Sequence, residues 1–302
     1  MTVTAAEETP VPGLDPVASA RWIRRSVPVS PWLHEEVGAR MADRLQWFRE
    51  PPRSWLHWEP VHGGVQTHRR LRERLPAAPC WVASERPQDA QRATAEAPPA
   101  TWNPLRRRAP VVPPVWQPGQ GVGMVWANML LHAVPRPAAL IRQWHSAIDV
   151  GGFLMFSCHG PDSLQELRAV YGRLGWPAPA HAFTDMHDWG DMLVHAGFAE
   201  PVMDMERLVL TYSSGDALLD ELRGLGRNLA SARATATRGR AWRARLVQAL
   251  ESGLPRQPDG RLTLTMEIVY GHAFKPQPRV PVATSSRVGL DDMRAMLRGT
   301  RR

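Results

Sequence analysis

Apolar residues recur along the chain with two periods, one of three to four residues and one of two. The longer period predicts an amphipathic helix that begins with a cap at Ser30-Pro31 and ends at Pro51-Pro52, with apolar positions at Leu33, Val37, Met41, Leu45 and Phe48. Short apolar runs at residues 55–60 and 80–83 predict strands, and an arginine-rich helical pattern lies between them. Strand, helix and strand in this order indicate a βαβ unit.

The same alternation returns later in the chain. Residues 122–127 and 153–158 are apolar runs typical of buried strands, and a helical pattern through Trp144 connects them. Further helices are predicted from Pro161 and from about Asp185. Repeated βα units favour an α/β fold built on an open, doubly wound, mostly parallel sheet.

The carboxyl-terminal region combines a helical insertion with a final strand. Residues 218–229 and 242–250 have apolar side chains at helical spacing, with arginines on the outer faces. Residues 201–212 are predicted to be extended, and residues 262–270 alternate between apolar and polar side chains, which is the period of a half-buried strand. We expect this last strand to lie antiparallel to its neighbours.

These patterns divide the chain into three parts. We expect a frayed leader (1–20) and the first helix within residues 1–50, one α/β domain over residues 51–276, and a loosely held basic tail over residues 277–302. Two segments interrupt the domain: a mobile loop over residues 96–118, predicted from seven prolines, and the helical insertion over residues 213–255.

Length and charge narrow the class of protein. The 302 residues are 43% hydrophobic, enough to bury a substantial core. The net charge of +8 rests on arginine, since Lys275 is the only lysine. Arginines spread along a chain are weak evidence for nucleic-acid binding and better evidence for an acidic partner. The net charge is the only sequence feature that supports nucleic-acid binding.

The cysteines and histidines indicate whether a disulfide or a metal site is expected, and the first residues indicate the cellular compartment. Cys80 and Cys158 are far apart and belong to no CxxC pair, so they predict buried thiols. His181, His187 and His195 match no zinc spacing, and no metal is expected. The chain start has no signal-peptide pattern, and no run reaches the roughly 18 apolar residues of a membrane helix. This predicts a cytoplasmic protein without a membrane partner.

The sheet topology locates a candidate site. In an open parallel sheet, ligands bind at the carboxyl ends of the strands, near the first glycine turn. Glu59, Gly63 and Gly64 lie at that turn, where glycines let the backbone approach an adenosine-type cofactor. Glu85 follows the second strand, where an acid can bind ribose hydroxyls. A lone Gly-Gly pair is by itself more typical of a plain surface turn than of a cofactor site.

Four stretches carry a resemblance to a known family. They are VWANMLLHAVPRPAALIRQWHSAIDVGGFLMFSCHGPDSLQELR (125–168), FTDMHDWGDMLVHAGFAEPVMDMERLVLTY (183–212), LLDELRGLGRNLA (218–230) and LTMEIVYGHAFKP (264–276). They resemble the class I methyltransferases that use S-adenosylmethionine, and within them the malonyl-[acyl-carrier protein] O-methyltransferases of biotin synthesis. The resemblance implies a Rossmann-like, seven-stranded methyltransferase sheet and a malonyl-loaded acyl-carrier protein as acidic partner.

The resemblance also implies roles for particular residues. Asn128 joins Glu59, Gly63, Gly64 and Glu85 as a candidate for binding the S-adenosylmethionine cofactor, while His132 and Arg168 are candidates for positioning the substrate. A carboxylate is ionised at pH 7 and needs no general base, so such a site has to supply positioning and water exclusion. Arg168 is equally well explained by a surface ion pair, and His132 by packing.

The amino-terminal half departs from the family pattern. Val61 and Val65 stand where the family has two of its three alternating glycines, and Gly123 stands where an acid is usual. A valine side chain there would crowd the approach of the backbone to a cofactor. Two function hypotheses therefore follow: a carboxyl O-methyltransferase, or a catalytically inactive relative that acts as a binding or scaffolding partner.

Overall fold

A six-stranded mixed sheet forms the centre of the computed structural model, which describes residues 11–25, 29–95, 111–234 and 238–278. The strands are β1 (Trp55–Trp58), β2 (Cys80–Ala83), β3 (Val122–Ala127), β4 (Ile148–His159), β5 (Ala199–Tyr212) and β6 (Leu262–Phe274). Their order across the sheet is β2-β1-β3-β4-β6-β5. The first four strands are parallel, whereas β6 is antiparallel to both β4 and β5. This confirms the predicted Rossmann-like, doubly wound α/β fold and its antiparallel final strand.

A seventh strand is not present among the described residues. At the free edge of β2, where one would lie, Val115 forms a single parallel bridge with Val82. The Val82 amide donates to the carbonyl of Pro114 (3.1 Å), and the Trp116 amide donates to the carbonyl of Val82 (2.9 Å). Proline has no amide proton to extend such a ladder, so Pro113 and Pro114 limit the pairing to this bridge.

Helices cover both faces of the sheet. They are α1 (Pro16–Ile23), α2 (Trp32–Asp43), α3 (Pro60–Gly63), α4 (Val65–Arg74), α5 (Pro87–Thr94), α6 (Pro137–Ala147), α7 (Gln165–Arg173), α8 (Met186–His195), α9 (Gly215–Leu225) and α10 (Arg240–Gly253). One apolar core packs α2, α4, α7 and α10 against the sheet, and a second packs α6 and α8 on the other face. Helices α9 and α10 confirm the predicted helical insertion before β6.

Part of the expected leader is folded. Asp15 caps α1 by accepting hydrogen bonds from the amides of Val17 (2.8 Å) and Ala18 (3.1 Å). Trp22 packs with Ala133 and Leu229 in a small apolar cluster. The expectation of a frayed leader is therefore wrong for Pro16–Ile23, because this cluster and the cap stabilise a short helix.

Several predicted segments lie outside the described residues. These are the first ten residues of the leader, residues 96–110 of the proline-rich loop, and residues 279–302 of the basic tail. Within the described ranges, no helix combines the length and the apolar character that crossing a bilayer requires.

Candidate active site

A cavity lies at the carboxyl ends of β3 and β4. It encloses about 660 Å³ between α7, the segment 179–183 and the helical insertion, and we call it the large cavity. A volume of roughly 300–1,000 Å³ is typical of small-molecule sites. Its apolar wall includes Leu164, Leu167, Leu246 and Met266. The predicted ligand edge of the sheet therefore does hold a cavity, on the β3–β4 side.

Arginines of the helical insertion form another part of its lining. They are Arg223, Arg227, Arg238, Arg240 and Arg243. Arg243 pairs with Asp216 and with Asp220 (3.0 Å), and the Arg238 guanidinium lies 4.3 Å from the Trp242 ring centroid. Arg240 is exposed and has no ion pair within the described part of the chain. The lining is therefore apolar on one side and basic on the other.

Three histidines meet at the sheet end of the large cavity. His132 belongs to the 3₁₀ helix after β3, His159 ends β4, and His181 lies in the segment before α8. The ring centroids of His132 and His159 are 4.5 Å apart, and the Phe183 ring packs against all three. Parallel strands end at the same edge of the sheet, which brings together residues 27 positions apart in sequence.

These histidines are neutral at pH 7. Burial lowers the pKa of His159 to about 3 and holds the pKa of His132 well below its ordinary range, and the neighbouring histidines add to both effects. Burial also lowers the pKa of His181. Because desolvation disfavours the charged imidazole, each ring keeps one N–H donor and one bare nitrogen acceptor.

Arg168 is placed behind these rings rather than in the lining of the large cavity. Its guanidinium donates to the carbonyls of Ala180 (3.0 Å) and His181 (2.7 Å), and it lies 5.5 Å from the Phe183 ring centroid. These bonds fix the segment that carries His181 and Phe183. A direct contact of Arg168 with substrate stays a prediction, whereas its contacts are those of a positioning residue.

Residues 59–64, which we call the β1 turn, are folded tightly. Glu59 has a left-handed backbone (φ 52°), and Pro60–Gly63 then form the single-turn helix α3. The Glu59 carboxylate is buried and accepts hydrogen bonds from the amide of Glu85 (2.6 Å) and the hydroxyl of Ser84 (2.8 Å). Burial raises the pKa of Glu59 to about 7. Both of its oxygens are therefore bonded within the protein.

Val61 and Val65 are accommodated without backbone strain. Neither has a positive φ, because Val61 lies in α3 and Val65 begins α4. The left-handed conformation falls instead on Glu59 and on Gly64 (φ 126°). Both valines therefore take ordinary backbone conformations, since the left-handed positions of the turn are Glu59 and Gly64.

The first turn of α4 has its free amides already bonded. The Glu35 carboxylate of α2 accepts hydrogen bonds from the amides of Gln66 (2.9 Å) and Thr67 (2.8 Å). Ser30, expected as a cap of the first helix, instead accepts from the Val65 amide (3.0 Å) and donates to the Val61 carbonyl (2.8 Å). Because these groups occupy the helix N-terminus, it has no donor left for an anionic ligand.

Asn128 holds the β1 turn against the sheet. Its buried amide nitrogen donates to the carbonyls of His34 (2.6 Å) and Gly63, and its oxygen accepts from the Ser157 hydroxyl (2.6 Å). A Cβ on Gly63 would lie 3.1 Å from the Asn128 carbonyl oxygen. Asn128 and Gly63 therefore contact each other in this arrangement, and their binding to a cofactor stays a prediction.

The amino-terminal segment covers the β1 turn. His62 Nε2 lies 3.0 Å from the carbonyl of Ile23, and Arg24 pairs with Glu85 at 3.3 Å. Beneath this cover, the cavity beside Glu59 and Val61 measures about 70 Å³. A site for a nucleoside-sized molecule needs several times that volume. In this arrangement the predicted cofactor residues come together, but the space beside Glu59 and Val61 is too small for S-adenosylmethionine.

Sequence reasoning missed residues whose partners are distant in sequence. Glu35 and Ser30 accept hydrogen bonds from the first turn of a helix about 30 positions away. His159 contacts His132 because β3 and β4 are adjacent in the sheet. For His159, its place at the end of an apolar strand was an available signal. Within the described ranges, no group of three or more His, Cys, Asp or Glu side chains could hold a metal ion.

Comparisons with known proteins place the chain in a family. It is 37% identical over 255 residues to the malonyl-[acyl-carrier protein] O-methyltransferase of Gallionella capsiferriformans, covering 82% of this chain and 86% of that protein. It is 32% identical to the protein of that name from Halorhodospira halophila, over 80% of this chain and 81% of the relative.

Other comparisons are more distant. No family model matches the chain. A putative methyltransferase structure from Bacillus halodurans matches with a TM-score of 0.48 and 15% identity, over 80% of this chain and 100% of the other. With two relatives above 30% identity that are covered over most of their length, the chain belongs to the malonyl-[acyl-carrier protein] O-methyltransferase family.

Proposed function

We propose that the protein transfers a methyl group from S-adenosylmethionine to the free carboxylate of a malonyl thioester carried by acyl-carrier protein. The observation that supports this most is the large cavity, which opens at the carboxyl ends of β3 and β4 in a chain of this family. We also propose that this reaction is a step of biotin synthesis, as the family resemblance implies.

The lining of the large cavity suits a thioester arm. Leu164, Leu167 and Met266 would contact its apolar part, while the arginines of the insertion would face its phosphate and the acidic carrier. A carboxylate is ionised at neutral pH, so methyl transfer needs no proton acceptor. The protein's contribution is then to orient the carboxylate and to exclude water.

The carrier-protein part of the proposal predicts a charge effect. Arg240 is exposed at the large cavity and free of ion pairs within the described ranges, so Arg240→Glu should raise the KM for malonyl-carrier protein several-fold while leaving the KM for a phosphate-free malonyl thioester, malonyl-N-acetylcysteamine, nearly unchanged. Arg261→Glu is the control, because Arg261 bonds Thr211 instead. Equal effects of the two variants would contradict this docking face.

Methyl transfer requires the donor to reach the β1 turn. Since only about 70 Å³ is free there, residues 22–25 have to move away before S-adenosylmethionine can contact Glu59, Gly63, Gly64, Glu85 or Asn128. These residues remain proposed donor contacts. The same packed turn favours the second candidate function, an inactive relative that binds a carrier or partner protein through the large cavity.

One assay separates the two candidates. Purified full-length protein is incubated with S-adenosylmethionine labelled on its methyl group and with malonyl-carrier protein, and base-labile methyl ester is measured. The proposal predicts ester formation with malonyl-carrier protein and none with acetyl-carrier protein. If no ester forms and S-adenosylhomocysteine does not bind by calorimetry, methyl transfer is refuted and the binding function is favoured.

A further inference from the structure

Each ring of the His132–His159 pair has an Nε2 without a protein partner among the described residues. The His159 amide points at His132 Nδ1 (3.4 Å), which makes Nδ1 the acceptor and leaves the proton on Nε2. His159 Nδ1 is buried without a partner, so Nε2 is the nitrogen through which this ring can reach a ligand. Neither Nε2 has a hydrogen-bond partner in the described part of the chain.

Both rings lie in an environment that keeps them uncharged. The titratable and charged groups that act on them are His34 of α2 and His181 of the segment before α8, and Arg168 of α7 lies behind His181. His34 donates its Nδ1 proton to the His62 carbonyl, and His181 donates its Nε2 proton to the His132 carbonyl, both at 2.7 Å. The remaining nitrogens of His34 and His181 are bare acceptors, so among the described histidines that line the large cavity, His132 and His159 are the ones with an N–H not bonded to the protein.

We propose that the Nε2–H groups of His132 and His159 bind the free carboxylate of the methyl acceptor and so select a free acid over its ester. This inference rests on the proposed function and deepens it. A carboxylate that leaves water for an apolar cavity needs hydrogen-bond donors to replace its hydration. Two N–H groups from rings 4.5 Å apart supply one donor for each oxygen.

Neutral donors suit a carboxylate that has to act as a nucleophile. A guanidinium paired with it would neutralise much of the charge on the attacking oxygen, whereas an imidazole N–H leaves that charge in place. Arg168, expected to hold the carboxylate, uses its donors on the carbonyls of Ala180 and His181. It acts on the histidine pair through Phe183, whose ring packs against both imidazoles.

The test measures binding, so that it does not depend on turnover. Dissociation constants are determined by calorimetry for malonyl-carrier protein and for the same carrier loaded with the malonyl methyl ester. The free acid should bind wild-type protein at least tenfold more tightly than the ester. His132→Leu and His159→Leu should each reduce that preference about tenfold, because a hydrogen bond to a charged group is lost.

Matched variants separate recognition from folding. His159→Gln retains an N–H donor near the Nε2 position and should keep most of the preference. His195→Leu is the control, since His195 is exposed on α8 and bonds the Asp191 carbonyl. Leucine variants that keep the full preference overturn the inference, as does wild-type protein without a preference for the free acid.

The binding measurement and the methyl-transfer assay can fail independently of each other. If wild-type protein forms no methyl ester but its preference for the free acid falls in both leucine variants, methyl transfer fails and carboxylate recognition stands. If wild-type protein methylates malonyl-carrier protein and the leucine variants bind acid and ester as wild type does, methyl transfer stands and this inference is wrong.

Discussion

The carboxyl edge of the sheet has two halves that differ in how they are filled. Beside β3 and β4, the large cavity of about 660 Å³ leaves imidazole nitrogens and arginines available to a ligand. Beside β1 and β2, the β1 turn leaves about 70 Å³, and its polar groups bond one another. The comparison shows that one parallel sheet edge can hold an open cavity beside two strands and a tightly packed turn beside the neighbouring two.

The stability of the packed half of the sheet edge, which contains the β1 turn, should depend strongly on Asn128. Asn128→Ala leaves the buried His34 and Gly63 carbonyls and the Ser157 hydroxyl without this partner, at about 1–3 kcal/mol each, so we expect a loss near 4 kcal/mol in the free energy of unfolding. Urea denaturation measures this. Asn228→Ala, which removes more exposed bonds, is the control and should cost about 1 kcal/mol. Equal losses would show that the β1 turn is not held this way.

Glu59 should make the packed half sensitive to pH. Its folded pKa of about 7 lies above the ordinary value of 4.5, so the folded state binds the proton more tightly. The stabilisation is complete below pH 4.5 and is lost as pH rises toward 7, on the order of 3 kcal/mol in all. Unfolding curves of wild type and Glu59→Gln should therefore differ in slope across this window. Parallel pH profiles would contradict a buried, protonated Glu59.

Gly64 tests the shape of the turn itself. Its φ of 126° disfavours any side chain, and a Cβ would lie 2.8 Å from the Glu35 carboxylate. Gly64→Ala should cost about 2 kcal/mol in unfolding free energy. Gly175→Ala, at φ 65° with no heavy atom within 4 Å of the added Cβ, should cost less. A smaller loss at Gly64 than at Gly175 would contradict the described turn.

Glu35 should have the smallest effect of the four. Glu35→Gln weakens the cap on α4 by removing charge near the helix N-terminus, and we expect about 1 kcal/mol. Glu36→Gln is the neighbouring control, since Glu36 forms only a surface pair with Arg40 at 2.8 Å. Thermal unfolding of both variants measures the decrease in Tm. A larger decrease for Glu36→Gln than for Glu35→Gln would contradict the cap of Glu35 on α4.

Local patterns in the sequence were sufficient for most of the fold. The apolar runs at 122–127 and 153–158 match β3 and β4, and the alternation at 262–270 lies within β6, because burial imposes these periods locally. Helix α1 was missed, since its stability comes from Trp22 packing on Ala133 and Leu229. Such contacts between distant residues have no local period.

The candidate site was predicted less completely for the same reason. Glu59 was found from its place after β1, but its bonds to Ser84 and Glu85 depend on the neighbouring strand. Ser30 looked like a cap for its own helix and instead bonds Val61 and Val65. His132 was identified from its place after a predicted strand, whereas its partner His159 emerged only from the pairing of β3 with β4.

Residues 22–25 cover the sheet edge beside β1 and β2, whereas the edge beside β3 and β4 is open. One measurement tests this difference directly. Hydrogen–deuterium exchange of the full-length protein is measured with and without saturating S-adenosylhomocysteine, after calorimetry has established binding. We expect the ligand to raise exchange in residues 16–25 while residues 153–158 of β4 stay protected. Binding of S-adenosylhomocysteine with unchanged or slower exchange in residues 16–25 would contradict it.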